Sequence, residues 1–264
     1  MAGVRLQIDA GRFVAVVGRN GSGKSTLARL ANGLLLPTEG RVLVAGRDTA
    51  HPDWNWEARR RVGVVFQNPD NQLVAATVEE ELAFGPENLG VPPAEIDERV
   101  ERGLALSGLA GRRTQPPYML SGGQKQLLAV AAVMAMQPDV LVLDEATAML
   151  DPPARAQLVA TALRLCREEG VAVLHVTHHM DEAAVADRVV ALDRGRVAFD
   201  GPPGELLADE GLLARLGADV PPVVRMAREL AAAGLPVQPG TFRLEELVEQ
   251  LGRCCRGPET ARER

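Results

Sequence analysis

Gly18-Arg19-Asn20-Gly21-Ser22-Gly23-Lys24-Ser25 sets glycines, a lysine and a hydroxyl between an apolar run and a helical pattern. This is the G-x-x-x-x-G-K-[ST] spacing. The glycines let the backbone curl so that several N–H groups face one concavity, which suits an anion. The helix that follows, expected from Ser25 to about Leu36, adds the positive end of its dipole. Lys24 is placed to reach the β- and γ-phosphates of a nucleotide, and the Ser25 hydroxyl to ligate Mg²⁺. Chance produces the pattern in about 1% of chains this long, and the strand-loop-helix context lowers that further.

Two more groups of residues belong to the same chemistry. Val140-Leu141-Val142-Leu143 delivers Asp144 and Glu145 at the end of an apolar strand. Asp144 is a hard oxygen ligand able to hold Mg²⁺ through water, and Glu145, one residue further on, can activate an attacking water. Leu120-Ser121-Gly122-Gly123-Gln124 opens a helix with a serine cap and two glycines. A cap explains the serine, but each glycine weakens a helix by about 1 kcal/mol, so Gly122 and Gly123 point to the close approach of a ligand. With one lysine cradle and two phosphate sites, the second site is expected to serve a neighbouring molecule.

The elements that must carry these residues follow from hydropathy. Phe13 to Val17, Val62 to Phe66, Val140 to Leu143 and Val171 to Val176 are apolar on successive residues, as in strands buried on both faces. The first stops at Gly18, which opens the cradle, and the others at Gln67, Asp144 and Thr177; ligands in parallel α/β sheets bind outside the carboxyl ends of the strands. From Thr77 to Gln137 the pattern is helical. Thr77 and Glu80 form a capping box, a helix follows Pro92-Pro93, and another runs from Gly122 to Met136 before Pro138. A helix from Ala154 to Glu169 ends at Gly170. Arg194-Gly195-Arg196 reads as a hairpin turn, and Trp54 and Trp56 as packing residues in a loop. Three amphipathic helices are expected beyond Gly201, at 204–216, 223–233 and 243–251, then a polar frayed tail from Arg253.

The 264 residues carry 29 Lys+Arg against 35 Asp+Glu, a net charge of −6. That balance argues against a nucleic-acid partner, which needs a basic face. The longest apolar run, Leu127 to Met136, is about half of the ~20 residues a membrane-spanning helix requires. Cys166, Cys254 and Cys255 have no metal-ligand spacing, and a reducing cytosol fits.

In order along the chain, the cradle, Gln67, Ser121 to Gln124, Asp144-Glu145, Asp151 and His178 resemble the ATP-binding cassette (ABC) ATPases. Val65-Phe66-Gln67-Asn68-Pro69-Asp70-Asn71-Gln72-Leu73, Phe84-Gly85-Pro86-Glu87-Asn88 and Ala146 to Pro152 are most similar to the ATPase subunits of energy-coupling-factor transporters, the vitamin and cobalt/nickel importers. The resemblance implies an α/β P-loop NTPase with a mostly parallel sheet. Residues 1–202 would form the ATPase domain, with a helical subdomain inserted at about 77–137, and 203–264 a C-terminal helical extension. It implies ATP and Mg²⁺ as ligands, with two cassettes packed head to tail around two ATP molecules. Each ATP would lie between one subunit's Gly18, Asn20, Gly21, Ser22, Gly23, Lys24, Ser25 and Thr26 and the other's Ser121, Gly122, Gly123 and Gln124. Gln67 would sense Mg²⁺ and the attacking water, His178 would touch the γ-phosphate, Glu145 would polarise water, and Asp151 would cross the dimer interface. His175 and His179 are read as incidental.

The implied partners are a second ATPase subunit, an integral membrane coupling subunit and a membrane subunit that chooses the solute, all at the cytoplasmic face of the membrane. Asn68-Pro69-Asp70-Asn71 favours the first member of a heterodimeric pair. Two departures from the family pattern stand out. No aromatic residue precedes Phe13 to stack on adenine, so either nucleotide affinity or adenine preference is expected to be weakened or the true start lies upstream, and Leu127 stands in place of the usual arginine after Gln126. The competing classes are an ATPase of another ABC subfamily and a soluble ABC ATPase acting on ribosomes or nucleic acid.

Overall fold

The computed structural model describes residues 1–255. Successive apolar residues of each strand point to opposite faces of one sheet, so both faces need a cover. Along the chain, β1 (Phe13–Gly18) leads into α1 (Lys24–Ala31), a two-residue hairpin of β2 (Leu43–Val44) and β3 (Arg47–Asp48), α2 (Pro52–Arg61) and β4 (Val62–Phe66). Three helices follow, α3 (Val78–Asn88), α4 (Pro93–Ser107) and α5 (Gly122–Ala135). Then come β5 (Val140–Asp144), α6 (Pro152–Glu169), β6 (Ala172–Val176), α7 (Met180–Ala183), β7 (Arg188–Asp193) and β8 (Arg196–Gly201). The chain continues as α8 (Pro203–Ala208), α9 (Glu210–Leu216), α10 (Pro222–Ala232) and α11 (Leu244–Cys255).

The main sheet runs β4-β5-β6-β1-β7-β8. Its pairings are parallel except β7 with β8, which the Arg194-Gly195 turn joins as an antiparallel hairpin. One face (Phe13, Ala15, Val17, Leu141, Leu143, Val173, Ala191) packs on α5, α6, α8 and α9. The other (Val14, Val16, Val142, Leu174, Val176, Leu192) packs on residues of α1 and α2. A separate core of Val78, Leu82, Val100, Leu104, Leu128 and Ala131 holds α3, α4 and α5 together. Helix α5 belongs to both cores: Leu127, Val130 and Val133 face the sheet, while Leu128 and Ala131 face α3 and α4. Leu127 is therefore a core residue, 5% exposed.

Several elements differ from the sequence expectation. Helix α1 stops at Ala31 rather than Leu36, because Gly33 takes a left-handed conformation and Asn32 Oδ1 accepts the Leu34 N–H. Trp54 and Trp56 lie on α2, not in a loop: Asp53 sits in the first turn and Arg59, Arg60 and Arg61 in the last, complementing the helix dipole. Trp54 packs beneath Arg47 and Arg61, whereas Trp56 is exposed. The single helix expected at 204–216 is two, because Asp209 leaves the first in an extended conformation and caps the second through Leu212 N–H.

Leu206, Leu207, Leu212, Leu213 and Leu216 share the main core, while Ala227, Val237 and Leu247 of the α10–α11 region form a small cluster of their own. Helix α11 continues past Leu251 to Cys255, and the rest of the tail lies outside the described residues.

Candidate functional site

The register of the parallel strands aligns their carboxyl ends. Phe66 pairs with Asp144, Asp144 with Val176, and Val176 with Val16. Gln67, Glu145, Thr177-His178 and the Gly18 loop therefore leave the sheet at one edge, side by side.

The loop after β1 is a cradle built by backbone geometry. Gly18, Gly21 and Gly23 all have positive φ (146°, 79° and 106°). A Cβ at Gly18 would lie 2.2 Å from the Leu192 carbonyl, so no other residue fits there. Lys24 is 4% exposed, and its Nζ donates to the Gly18 carbonyl at 2.9 Å. The same Nζ lies 3.3 Å from Glu145 Oε1. The ammonium is thus held across the mouth of the cradle by its own loop and by the carboxylate expected to act on water. The buried Ser22 Oγ has no partner among the described residues, so a polar group remains for a ligand to satisfy.

Opposite the cradle, Ser25 Oγ donates to Asp144 Oδ1 at 2.8 Å. Burial raises the Asp144 carboxyl above its ordinary value, the Ser25 hydrogen bond lowers it, and the Glu145 charge raises it again. A buried carboxylate that resists ionisation, beside a hydroxyl, gains from a nearby divalent cation. Among the described residues no cluster of three or more His, Cys, Asp or Glu could hold a metal by itself. Ser25 and Asp144 thus offer the sparse oxygen set that Mg²⁺ accepts when phosphates and water complete its shell. Glu145 has a left-handed backbone, φ 53°, and its N–H donates to the Val176 carbonyl at 3.1 Å. For a non-glycine residue that costs about 1–2 kcal/mol.

Gln67 is exposed at the end of β4, and the residue before it is pinned on both sides. Phe66 N–H donates to Gln72 Oε1 at 3.1 Å, and the Phe66 carbonyl accepts from Gln126 Nε2 at 2.9 Å. Lys125 and Asp70, 2.6 Å apart, add a second strap between this loop and α5. His178 is exposed on the loop after β6. The Nε2 of its neighbour His179 accepts from the Arg155 guanidinium at 2.8 Å, and burial lowers the His179 pKa.

Ser121, Gly122, Gly123 and Gln124 lie at the tip of α5, away from the cradle. Ser121 Oγ accepts the Gln124 N–H at 3.3 Å, and Gln124 Oε1 accepts the Ser121 N–H at 3.0 Å. The two glycines have different reasons to be there. A Cβ on Gly123 would lie 2.8 Å from Ala154 Cβ, so close packing of α5 on α6 already requires it. A Cβ on Gly122 would meet nothing within 4 Å. Only Gly122 fits the inference, drawn for both from the sequence, that something outside the chain approaches. Asp151 caps α6, its Oδ1 accepting the Ala154 N–H at 2.9 Å, and so stands beside the same tip. Among the described residues no hydrogen bond or ion pair joins this group (Ser121 to Gln124 and Asp151) to the cradle group. The two groups stand apart within one chain.

Sequence reasoning named Asp70, Gln72 and Gln126 only as parts of a pattern and missed that their side chains brace the Gln67 loop; it missed Glu182, buried beneath the strand ends, altogether. Glu182 reads as an ordinary first-turn acid in Met180-Asp181-Glu182. The available signal was an acidic residue a few positions after a strand that carries His175 and is followed at once by Thr177 and His178.

A cradle with lysine and paired carboxylates at the carboxyl edge of a parallel sheet, plus a serine-glycine helix tip, defines an ATP-binding cassette. The ABC transporter family model matches residues 1–148. The energy-coupling factor transporter ATP-binding protein EcfA1 of Caldanaerobacter subterraneus is 48% identical over 95% of this chain and 90% of its own. The protein of the same name from Symbiobacterium thermophilum is 53% identical, over 94% and 87%. Among solved structures, cbiO1 from Clostridium perfringens, part of the ABC transporter complex cbiONQ, superimposes with TM-score 0.76 at 34% identity, covering 88% of this chain and 89% of its own. A dimeric ATP-binding cassette bound to ADP and Pi gives TM-score 0.68 at 30% identity, over 76% and 89%. The chain belongs to the ABC transporter family.

Proposed function

We propose that this chain is the ATP-hydrolysing subunit of an energy-coupling-factor-type importer for a vitamin or transition metal, driven by ATP-dependent closure of an ATPase dimer. Lys24 and the cradle N–H groups neutralise the nucleotide's phosphates. Ser25, Asp144 and Gln67 are the residues that would hold Mg²⁺, which when bound neutralises charge between the β- and γ-phosphates. Glu145 orients and polarises the attacking water, and His178 contacts the γ-phosphate. In the second subunit Ser121, Gly122, Gly123 and Gln124 close on that phosphate, with Asp151 at the seam. A γ-phosphate that bridges two chains is a ligand that prefers the closed state, so its loss on hydrolysis releases closure. Electrostatic positioning carries the rate.

The observation that supports this most is the division of one chemistry between two separated half-sites, with the Gly122 tip facing open space. The partners are a second ATPase subunit, a membrane coupling subunit and a solute-binding membrane subunit. Among the described residues no helix is long and apolar enough to cross a membrane, and the chain sits on the cytoplasmic face through those partners. Purification from detergent-solubilised membranes tests this: the chain is expected to bring down an integral membrane subunit and to hydrolyse ATP. Recovery with ribosomes or RNA and no membrane protein would overturn it.

A further inference from the structure

Glu182 is 4% exposed, and the groups around it are equally dry: His175 0%, Thr147 1% and Thr177 1%. Its Oε2 accepts from Thr177 Oγ1 at 2.6 Å, from Thr147 Oγ1 at 2.9 Å, and pairs with His175 Nε2 at 2.8 Å. Glu182 Oε1 and His175 Nδ1 have no hydrogen-bond partner among the described residues. Burying a carboxylate is costly, and an apolar side chain would fill the space more cheaply. It could not, however, hold two hydroxyls from different loops.

Those loops carry the reacting groups. Thr147 lies two residues after Glu145, in the turn where Ala148 N–H donates to the Glu145 carbonyl and Leu150 N–H to the Thr147 carbonyl. Asp151 follows at once. Thr177 immediately precedes His178, and its Oγ1 also accepts the His179 N–H at 3.0 Å, fixing the turn that presents His178. The Glu145 backbone is left-handed and needs restraint from outside. We propose that Glu182 is a positioning residue that clamps the Glu145–Asp151 loop to the His178 loop, so that water-polarising and phosphate-contacting side chains keep one spacing. This rests on the ATPase reading above.

The test uses Glu182→Gln in the full chain within its purified assembly. Small misplacement of reacting groups costs large factors in rate, so kcat is expected to fall about ten- to a hundredfold with KM for ATP changed less than about threefold. Thr147→Val and Thr177→Val are each expected to lower kcat, and the double variant little more than either alone, because one clamp is broken once. These two variants decide the matter should Glu182→Gln fail to fold. Loss of kcat in step with nucleotide affinity and thermal midpoint would overturn the proposal in favour of a purely structural cluster. So would variants that fold and turn over within about twofold of the parent. A parent assembly that hydrolyses no ATP would instead overturn the ATPase reading itself.

Discussion

Gly122→Ala separates what the helix tip does for this chain from what it does for a neighbour. In the isolated subunit the new methyl meets nothing within 4 Å, and the Gly122 backbone needs no glycine, since its φ is not in the left-handed region. Removing glycine's unfolded-state entropy then stabilises by about 0.4–1 kcal/mol, or about 1–4 °C in melting midpoint for a chain of this size. Gly123→Ala, one residue on, places its methyl 2.8 Å from Ala154 Cβ. Overpacking of that kind costs about 1–3 kcal/mol, more than the propensity gained, so the midpoint falls. Calorimetry on the two variants reads this contrast. ATP turnover in the assembled transporter reads the other half: on the proposed shared-phosphate arrangement, Gly122→Ala is expected to lower kcat tenfold or more despite its greater stability, because its methyl would occupy the approach of the γ-phosphate held by the partner subunit. A stabilised Gly122→Ala subunit with parental turnover would refute the claim that a ligand approaches this tip.

Three further outcomes follow from the site. Glu145→Gln keeps the side chain's shape and is expected to bind ATP normally while losing nearly all turnover and trapping the closed dimer; full hydrolysis by it, in a phosphate-release assay, removes Glu145 from its role. Burial holds the Asp144 carboxyl above its ordinary value, so ionising it opposes folding as pH rises, and a proton competes with Mg²⁺ as pH falls. Titration calorimetry should find Mg²⁺-nucleotide affinity weakening toward acid pH, and Asp144→Asn should leave the metal-free subunit at neutral pH at least as stable while losing Mg²⁺ dependence; pH-independent affinity contradicts this. Glu182 is depressed from 4.5 to about 2, against the desolvation that raises it, chiefly by its hydrogen bond and charge interaction with His175 and then by Thr177 and Thr147. A lowered carboxylate pKa stabilises above the unfolded value, so that stabilisation should drain away between pH 4.5 and about 2, and Glu182→Gln should flatten that part of the acid-unfolding curve.

The residues legible in the sequence were those whose chemistry is local. The cradle is a contiguous run between a strand and a helix, and Asp144 and Glu145 end an apolar strand, so their placement needed only the rule that strand ends meet at one edge. The capping box at Thr77 and the serine cap at Ser121 were equally local and both form, the second completed by Gln124 as a capping box that the sequence reading did not name. What stayed hidden depends on distant partners. Whether Gly123 answers to a ligand or to Ala154 is set by how α6 packs on α5. The Gln126 bond to Phe66 spans residues far apart in sequence, and Glu182 gathers groups from two loops. The early end of α1 and the break at Asp209 were missed because helical periodicity continues through both, while a left-handed glycine or a capping aspartate ends the helix regardless.

The most direct measurement is a structure of the Glu145→Gln assembly trapped with Mg²⁺ and ATP. The Ser121 hydroxyl and the Gly122 N–H of one subunit should lie within hydrogen-bonding reach, about 3 Å, of a γ-phosphate held by Lys24 of the other. A trapped nucleotide contacted by a single subunit, with both serine-glycine tips turned to water, would contradict the shared-phosphate mechanism outright.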